Sequence, residues 1–211
     1  MDNLQDLRKN YEFSYINENQ LKDNPLEQFS IWMKEAINSA ELEPSAMVLS
    51  TVDAQGFPHS RMVLLKDFSE SGFVFFSNYE SDKAIQMKSN HAVSILFFWQ
   101  HLERQVRIEG IVEKIAEIES DAYFLSRPIE HKLGTWASAQ SKPIPSSTFL
   151  EEQFLYFKDK FKLDIPRPPH WGGYSIKPSR FEFWQGRPNR LHDRFVYKLN
   201  ESDWTIERLA P

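Results

Sequence analysis

Residues 46–65 read AMVLSTVDAQGFPHSRMVLL. Two apolar, β-prone runs flank Asp53-Ala54-Gln55-Gly56, a turn signal, so 46–52 and 58–65 read as the strands of a β-hairpin. This hairpin sets the fold class, because the segments around it repeat its grammar. On the N-terminal side, Asn24 caps and Pro25 opens a helix with an apolar stripe of Leu26, Phe29, Trp32, Met33, Ala36 and Ile37, and the helix stops before Glu43-Pro44. Residues 1–22 are polar and weakly patterned, and are expected to form a mobile arm. On the C-terminal side come a strand at 73–77, a short helix at 81–90, strands at 92–99 and 104–112, and a helix at 117–125 that ends at Arg127-Pro128. A Ser- and Pro-rich loop covers 138–147. Thr148 has capping-box spacing to Glu151 and starts a helix carrying Leu150, Phe154, Phe157 and Phe161. Strands at 173–185, 191–199 and 204–208 finish the chain. With no repeat and no linker, 23–211 is expected to be one domain, mainly β with flanking helices, built on an antiparallel barrel.

Composition narrows the partners. The chain has 211 residues, 17 Phe and 6 Trp, enough bulk for a real core, and a net charge of −5 that argues against a nucleic-acid binder. Any anion site must be a local cluster. No Cys is present, the N-terminus lacks an apolar signal core, and no apolar run approaches the ~20 residues of a membrane span. The expectation is a soluble, cytoplasmic protein without membrane contact. His59, His91, His101 and His170 show no metal-ligand spacing, so no metal is assigned, and there is no GxGxxG, P-loop or nucleophile elbow.

Several groups suit an anion. Residues 181–195 read FEFWQGRPNRLHDRF. On a strand, Arg190, His192 and Arg194 share a face, with neighbours ~6.6 Å apart. Two full charges at that spacing repel by about 2.5 kcal/mol at an effective dielectric of ~20. Either an anion lies against this row or the cations fan out into water from an edge strand. Arg61 and Lys66 bracket an apolar strand, and five-residue spacing puts them on opposite faces unless one sits at a bent end. Ser81-Asp82-Lys83 begins a helix, where free N–H groups can seat a phosphate; Ser81 is the expected cap. Gln105, Arg107 and Glu109 share a strand face, and Gln105 can both donate to and accept from a ring's imide edge. Gln140-Ser141 adds neutral donors and acceptors. Tyr123 and Arg127 lie four apart on one helix face.

Taken in order, RMVLLK, FFSNYESDKA, ERQVRIEG, YFLSRP, SAQS, FWQG, RLHDRF and the terminal RLAP resemble the pyridoxamine 5′-phosphate oxidase family from about residue 7 to 211. The resemblance implies an FMN-binding split β-barrel, a homodimer with two flavins held by groups from both subunits. It implies oxidation of pyridoxamine 5′-phosphate or pyridoxine 5′-phosphate to pyridoxal 5′-phosphate with O2, releasing H2O2, and ammonia from the amine. By position it assigns the flavin to Arg61, Met62, Val63, Leu64, Leu65 and Lys66, to Phe76, Ser77 and Lys83, and to Gln105, Gln140, Ser141, Trp184 and Arg194. The substrate phosphate falls to Lys66, Tyr123, Arg127 and His131. Arg190 and His192 lie at the substrate ring and reacting carbon, as catalytic groups, and Arg8 and Tyr11 belong to a segment that closes over the substrate. Two residues depart from the family pattern: Asp82 replaces an Arg on the FMN phosphate, and His131 replaces a Ser on the substrate phosphate.

Overall fold

In the computed structural model, which describes residues 3–6 and 10–211, the first helix begins where Asn24-Pro25 predicts. Asn24 Oδ1 accepts from the Leu26 N–H at 2.8 Å, and Pro25 occupies the first helical position, where a missing N–H costs no bond. This helix, α1 (Pro25–Ile37), buries Phe29, Trp32, Met33 and Ala36. The hairpin follows as β1 (Ala46–Val52) and β2 (Pro58–Leu64), then β3 (Asp67–Ser69), β4 (Gly72–Asn78), α2 (Asp82–Ser89), β5 (Ala92–Trp99) and β6 (Arg104–Lys114). The second half holds α3 (Glu117–Ser126), α4 (Ile129–Ala137), α5 (Phe149–Phe161), β7 (Trp171–Gln185), β8 (Asp193–Asn200) and β9 (Asp203–Arg208).

Besides short 3₁₀ turns, one strand and one α-helix go beyond the expected set. β3 is three residues long, too short to show a period, and exists because Asp67, Phe68 and Ser69 pair with Val74, Phe73 and Gly72. α4 restarts after Pro128, which bars Arg127 from helical geometry and so splits one helical region in two. Thr148 precedes α5 as expected but forms no capping box: its Oγ1 donates to Glu152 at 2.8 Å, and no backbone N–H reaches it.

The strands share one sheet in the order β2-β1-β5-β6-β7-β4-β3, with β8 pairing β7 and β9 pairing β8. The β3–β4, β4–β7, β7–β8 and β8–β9 pairs are antiparallel. The chain divides into two compact units. The first takes in Met1–Leu49, Ser94–Gly110 and Pro178–Pro211. Its core joins Phe29 to Phe97 at 5.1 Å and Trp32 edge-on to Phe183 at 5.2 Å. The second takes in Ser50–Val93 and Ile111–Lys177, with Phe124, Leu133, Ile165 and Trp171 buried together. No helix among the described residues is long and apolar enough to cross a membrane.

Gly172 shows how tightly the second unit is packed beside Ser77, its partner across the β4–β7 ladder. A Cβ there would collide with the Tyr79 hydroxyl. That ring cannot swing away freely: it donates to the Gly173 carbonyl at 3.3 Å and lies under the Lys114 ammonium at 3.8 Å. Gly172→Ala is expected to cost about 1–3 kcal/mol, the usual penalty for overpacking, read as a lower urea midpoint at unchanged m-value.

Candidate functional site

A cleft of about 920 Å³ lies wholly within the second unit. One wall comes from β2, which ends at Leu64; the chain then turns, and the Lys66 N–H donates to the Val74 carbonyl at 2.8 Å. Because Lys66 is off the strand, alternation no longer separates it from Arg61. Both line the cleft, with Met62, Val63 and Leu64 between them. Leu65 is instead buried in the core, and its side chain does not line the cleft.

The floor is cationic. Lys83 is buried, and its Nζ donates to Ser77 Oγ and Ser81 Oγ at 3.1 Å each and to Gln140 Oε1 at 2.9 Å. All three acceptors are neutral. Burial, reinforced by the Arg61 charge and opposed by Asp82, pulls the Lys83 pKa down to about 8. Arg61 donates to Thr51 Oγ1 at 2.6 Å, to the His59 carbonyl at 3.1 Å and to Gln86 Oε1 at 3.0 Å. Burial also lowers its pKa, again opposed by Asp82. Ser81 does not cap α2 through its side chain. Its hydroxyl donates to the Asn78 carbonyl at 2.8 Å, and the Asp82 N–H goes to Ser141 Oγ at 3.3 Å. The 138–141 loop therefore closes the start of α2 and supplies a Lys83 acceptor as well.

Aromatic rings also line the cleft. Phe76 and Tyr123 stack with centroids 3.9 Å apart and planes 17° off parallel, and Trp171 lies nearly parallel to both. Arg127 places its guanidinium 4.7 Å from the Trp171 centroid and donates to Thr135 Oγ1 at 2.7 Å. Burial raises the Tyr123 pKa against the pull of Arg127, so the phenol stays a neutral donor. His131 also lines the cleft. Its lining holds four cations, Arg61, Lys66, Lys83 and Arg127, against the carboxylates Asp82 and Glu130. In a chain of net charge −5, this is a local cluster of cations beside a flat aromatic surface, suited to an anion.

The first unit holds the remaining sequence candidates. The charged row expected along a strand from Arg190 to Arg194 does not form. β8 begins only at Asp193, and Pro188–Arg190 is a 3₁₀ turn with Asn189 at φ 57° and Arg190 at φ 61°. Pro188 has no N–H for a ladder, and two consecutive left-handed residues break strand alternation. Arg194 alone of the three sits in the sheet, opposite Trp184. Its Nε and Nη2 donate to Glu182 Oε1 at 3.1 and 2.9 Å, and its Nη1 to the Ala210 carbonyl at 2.8 Å. Glu182 is buried and also accepts from Arg107 at 2.7 Å and Arg180 at 3.0 Å. Burial alone would raise its pKa, but the three guanidiniums together hold it below the usual range.

Arg190 is exposed and makes no hydrogen bond or ion pair to any described residue. His192 lies 4.7 Å from Trp184, and Tyr11 meets both edge-on, at 5.6 Å from Trp184 and 5.5 Å from His192. The Arg187 N–H donates to His192 Nδ1 at 3.1 Å, which leaves the ring proton on Nε2. Burial and then Arg190 lower the His192 pKa, against Asp193, so the ring is a neutral donor at pH 7. Gln105 is half-buried on β6. Arg8 lies outside the described residues. Sequence reasoning passed over three carboxylates: Glu182, Asp193 and Glu103, all buried. For Glu182 a signal was present, a lone charge between Phe181 and Phe183 in a strand.

A sequence profile described as pyridoxamine 5′-phosphate oxidase matches residues 33–160, and one described as the pyridoxine 5′-phosphate oxidase C-terminal dimerisation region matches 171–211. The pyridoxine/pyridoxamine 5′-phosphate oxidases of Gloeothece citriformis and Bordetella pertussis are each 52% identical over 99% of this chain, covering 98% and 99% of their own lengths. Among solved structures, PhzG from Burkholderia lata superposes with a TM-score of 0.90 at 24% identity, over 96% of this chain and 100% of its own. A pyridoxamine 5′-phosphate oxidase-related, FMN binding protein from Nostoc punctiforme gives 0.71 at 17% identity, over 90% of this chain and 100% of its own. Both share the mainly β fold with flanking helices that the hairpin grammar led us to expect, in its split-barrel form. The two profiles and the half-identical relatives leave one conclusion: this chain belongs to the pyridoxamine 5′-phosphate oxidase family.

Proposed function

We propose that this protein oxidises pyridoxamine 5′-phosphate and pyridoxine 5′-phosphate to pyridoxal 5′-phosphate, using FMN and O2 and releasing H2O2, with ammonia from the amine. The observation that carries the reading is the cleft of the second unit, lined by four cations and a stack of aromatic rings. The relatives' names point the same way.

The donor set fits FMN. A buried ammonium whose acceptors are all neutral is suited to a phosphate, with Arg61, Ser77, Gln140 and Ser141 as further partners. Asp82 is the discordant group. Met62, Val63, Leu64 and Phe76 offer the apolar surface for the ring system. Gln105, Trp184 and Arg194 are proposed as the flavin's remaining contacts in the assembled homodimer, which the match to a dimerisation region supports. When bound, FMN supplies the two-electron acceptor that dioxygen restores.

This chain's own residues bind and orient the substrate. Lys66, Tyr123, Arg127 and His131 take the substrate phosphate; Tyr123 and Arg127 are fixed by ring stacking and by Thr135. Arg190, with its guanidinium uncommitted among the described residues, holds the substrate ring and offsets charge as electrons leave. His192 offers its Nε2 proton to the substrate's polar edge. Arg8 and Tyr11 close the site.

The reading is tested with purified protein reconstituted with FMN. Anaerobic pyridoxine 5′-phosphate is expected to bleach the flavin, and air to restore it with peroxide release, while unphosphorylated pyridoxine does far less. A protein that never takes up FMN, or whose bound FMN no phosphorylated vitamer reduces, overturns it.

A further inference from the structure

Between Asn10 and Lys22 the chain has no regular element beyond a three-residue 3₁₀ turn, yet its backbone is fixed to buried carboxylates of the first unit. The N–H groups of Glu12 and Phe13 both donate to Glu103 Oε2, at 2.8 and 2.9 Å. Three residues on, the Ile16 N–H donates to Asp193 Oδ2 at 3.0 Å. Asp193 is further engaged by Arg187 and Arg208. Glu103 has another task. Its carbonyl accepts from the Gly186 N–H at 2.7 Å and from Gln185 Nε2 at 3.3 Å, and its own backbone is left-handed at φ 53°. A Glu held in that conformation is locally strained and persists only where its surroundings enforce it. Tyr11, next to the anchored pair, lies against Gly186 so closely that a Cβ there would come within 2.7 Å of its ring. One residue thus fixes both the segment that carries Tyr11 and the backbone on which Tyr11 rests.

We propose that Glu103 is a positioning residue for the reaction: its carboxylate latches residues 12–13 so that Tyr11 is seated on the Trp184–His192 pair. The role of Tyr11 at the substrate rests on the function proposed above; the latch itself does not. A carboxylate accepting two backbone N–H bonds is charge-assisted, about twice as strong as its neutral amide counterpart. Glu103→Gln keeps the shape of the side chain and removes the charge.

The test uses full-length, FMN-reconstituted protein as wild type, Glu103→Gln and Tyr11→Ala. In Glu103→Gln, amide hydrogen exchange at Glu12 and Phe13 is expected to speed up about tenfold, the loss of roughly one strong bond. The His192 ring-proton resonance is expected to move toward its position in Tyr11→Ala, because the edge-on tyrosine ring has left. KM for pyridoxine 5′-phosphate is expected to rise about three- to tenfold with kcat within about twofold, as for lost binding rather than lost chemistry. Unchanged exchange, or an unmoved His192 resonance, overturns the latch whatever the activity. Both changes with an unchanged KM overturn the positioning role. If the wild type shows no oxidase activity, the proposed function fails while exchange and the His192 resonance still decide the latch.

Discussion

On the function proposed above, Lys83→Met is expected to weaken FMN binding by about 10- to 150-fold, the loss of one charge-assisted hydrogen bond worth about 1.5–3 kcal/mol. The ammonium is buried among Ser77, Ser81 and Gln140, none of which neutralises it, and burial holds its pKa at about 8 rather than 10.5. The sign of the pH effect follows. Between about pH 8 and 10.5 the unfolded chain keeps this proton and the folded, FMN-free protein has lost it, so FMN-free stability rises with pH across that window. FMN affinity is expected to run the other way and fall above pH 8, because in the proposed site the phosphate needs the cation. Urea titrations at pH 7.5 and 9.5 check the first trend, and flavin fluorescence titration the second; in Lys83→Met both pH dependences flatten. An Lys83→Met protein that binds FMN as tightly as wild type removes this residue from the site. Asp82→Asn is the counterpart with opposite sign. Deleting an exposed carboxylate from the cleft is worth at most about 1 kcal/mol, so FMN binds about two- to fivefold tighter.

On the same proposal, Arg190→Ala is expected to lower kcat by about 10²–10³-fold with FMN still bound, the range seen when a donor to developing charge is removed. The two arginines of the RLHDR stretch make the contrast. Arg194 is committed to Glu182 and to the Ala210 carbonyl, so its removal takes one of three guanidiniums from a buried carboxylate and lowers stability. Arg190 has no such commitment among the described residues, and its left-handed backbone after Pro188 is the kind of local cost that folding alone does not explain. Stopped-flow reduction of the flavin by pyridoxine 5′-phosphate, followed alongside thermal unfolding, separates the two. Arg190→Ala slows reduction at unchanged Tm. Near-normal reduction in that variant ends the catalytic assignment.

Much of the fold was legible because its signals are local. Asn24-Pro25 starts α1, the 53–56 turn joins β1 to β2, and Pro128 ends a helical region, each through geometry that a few neighbouring residues impose. α4 and β3 were not legible: one is a nine-residue helix restarting behind a proline, and the other is a strand only by virtue of its partner. Within the site, residue types were readable and their grouping was not. Strand parity kept Arg61 and Lys66 apart, yet β2 stops at Leu64 and both line one cleft. The same parity aligned Arg190, His192 and Arg194, yet β8 starts only at Asp193, so Arg190 and His192 lie off the strand.

By itself, then, the sequence determined the β-rich class, the helix starts and the presence of phosphate-grade cations in a chain of net negative charge. Its run of motifs also marked the family. Only the tertiary structure decided which cations lack a carboxylate partner and which are already neutralised. Lys83 meets three neutral oxygens, Arg194 meets Glu182, and Glu103 reaches backbone 91 residues away. The physical reason is one of range. Caps, turns and alternation act over a few residues, whereas the charge state and availability of a side chain depend on burial and on partners that meet only when distant segments pack.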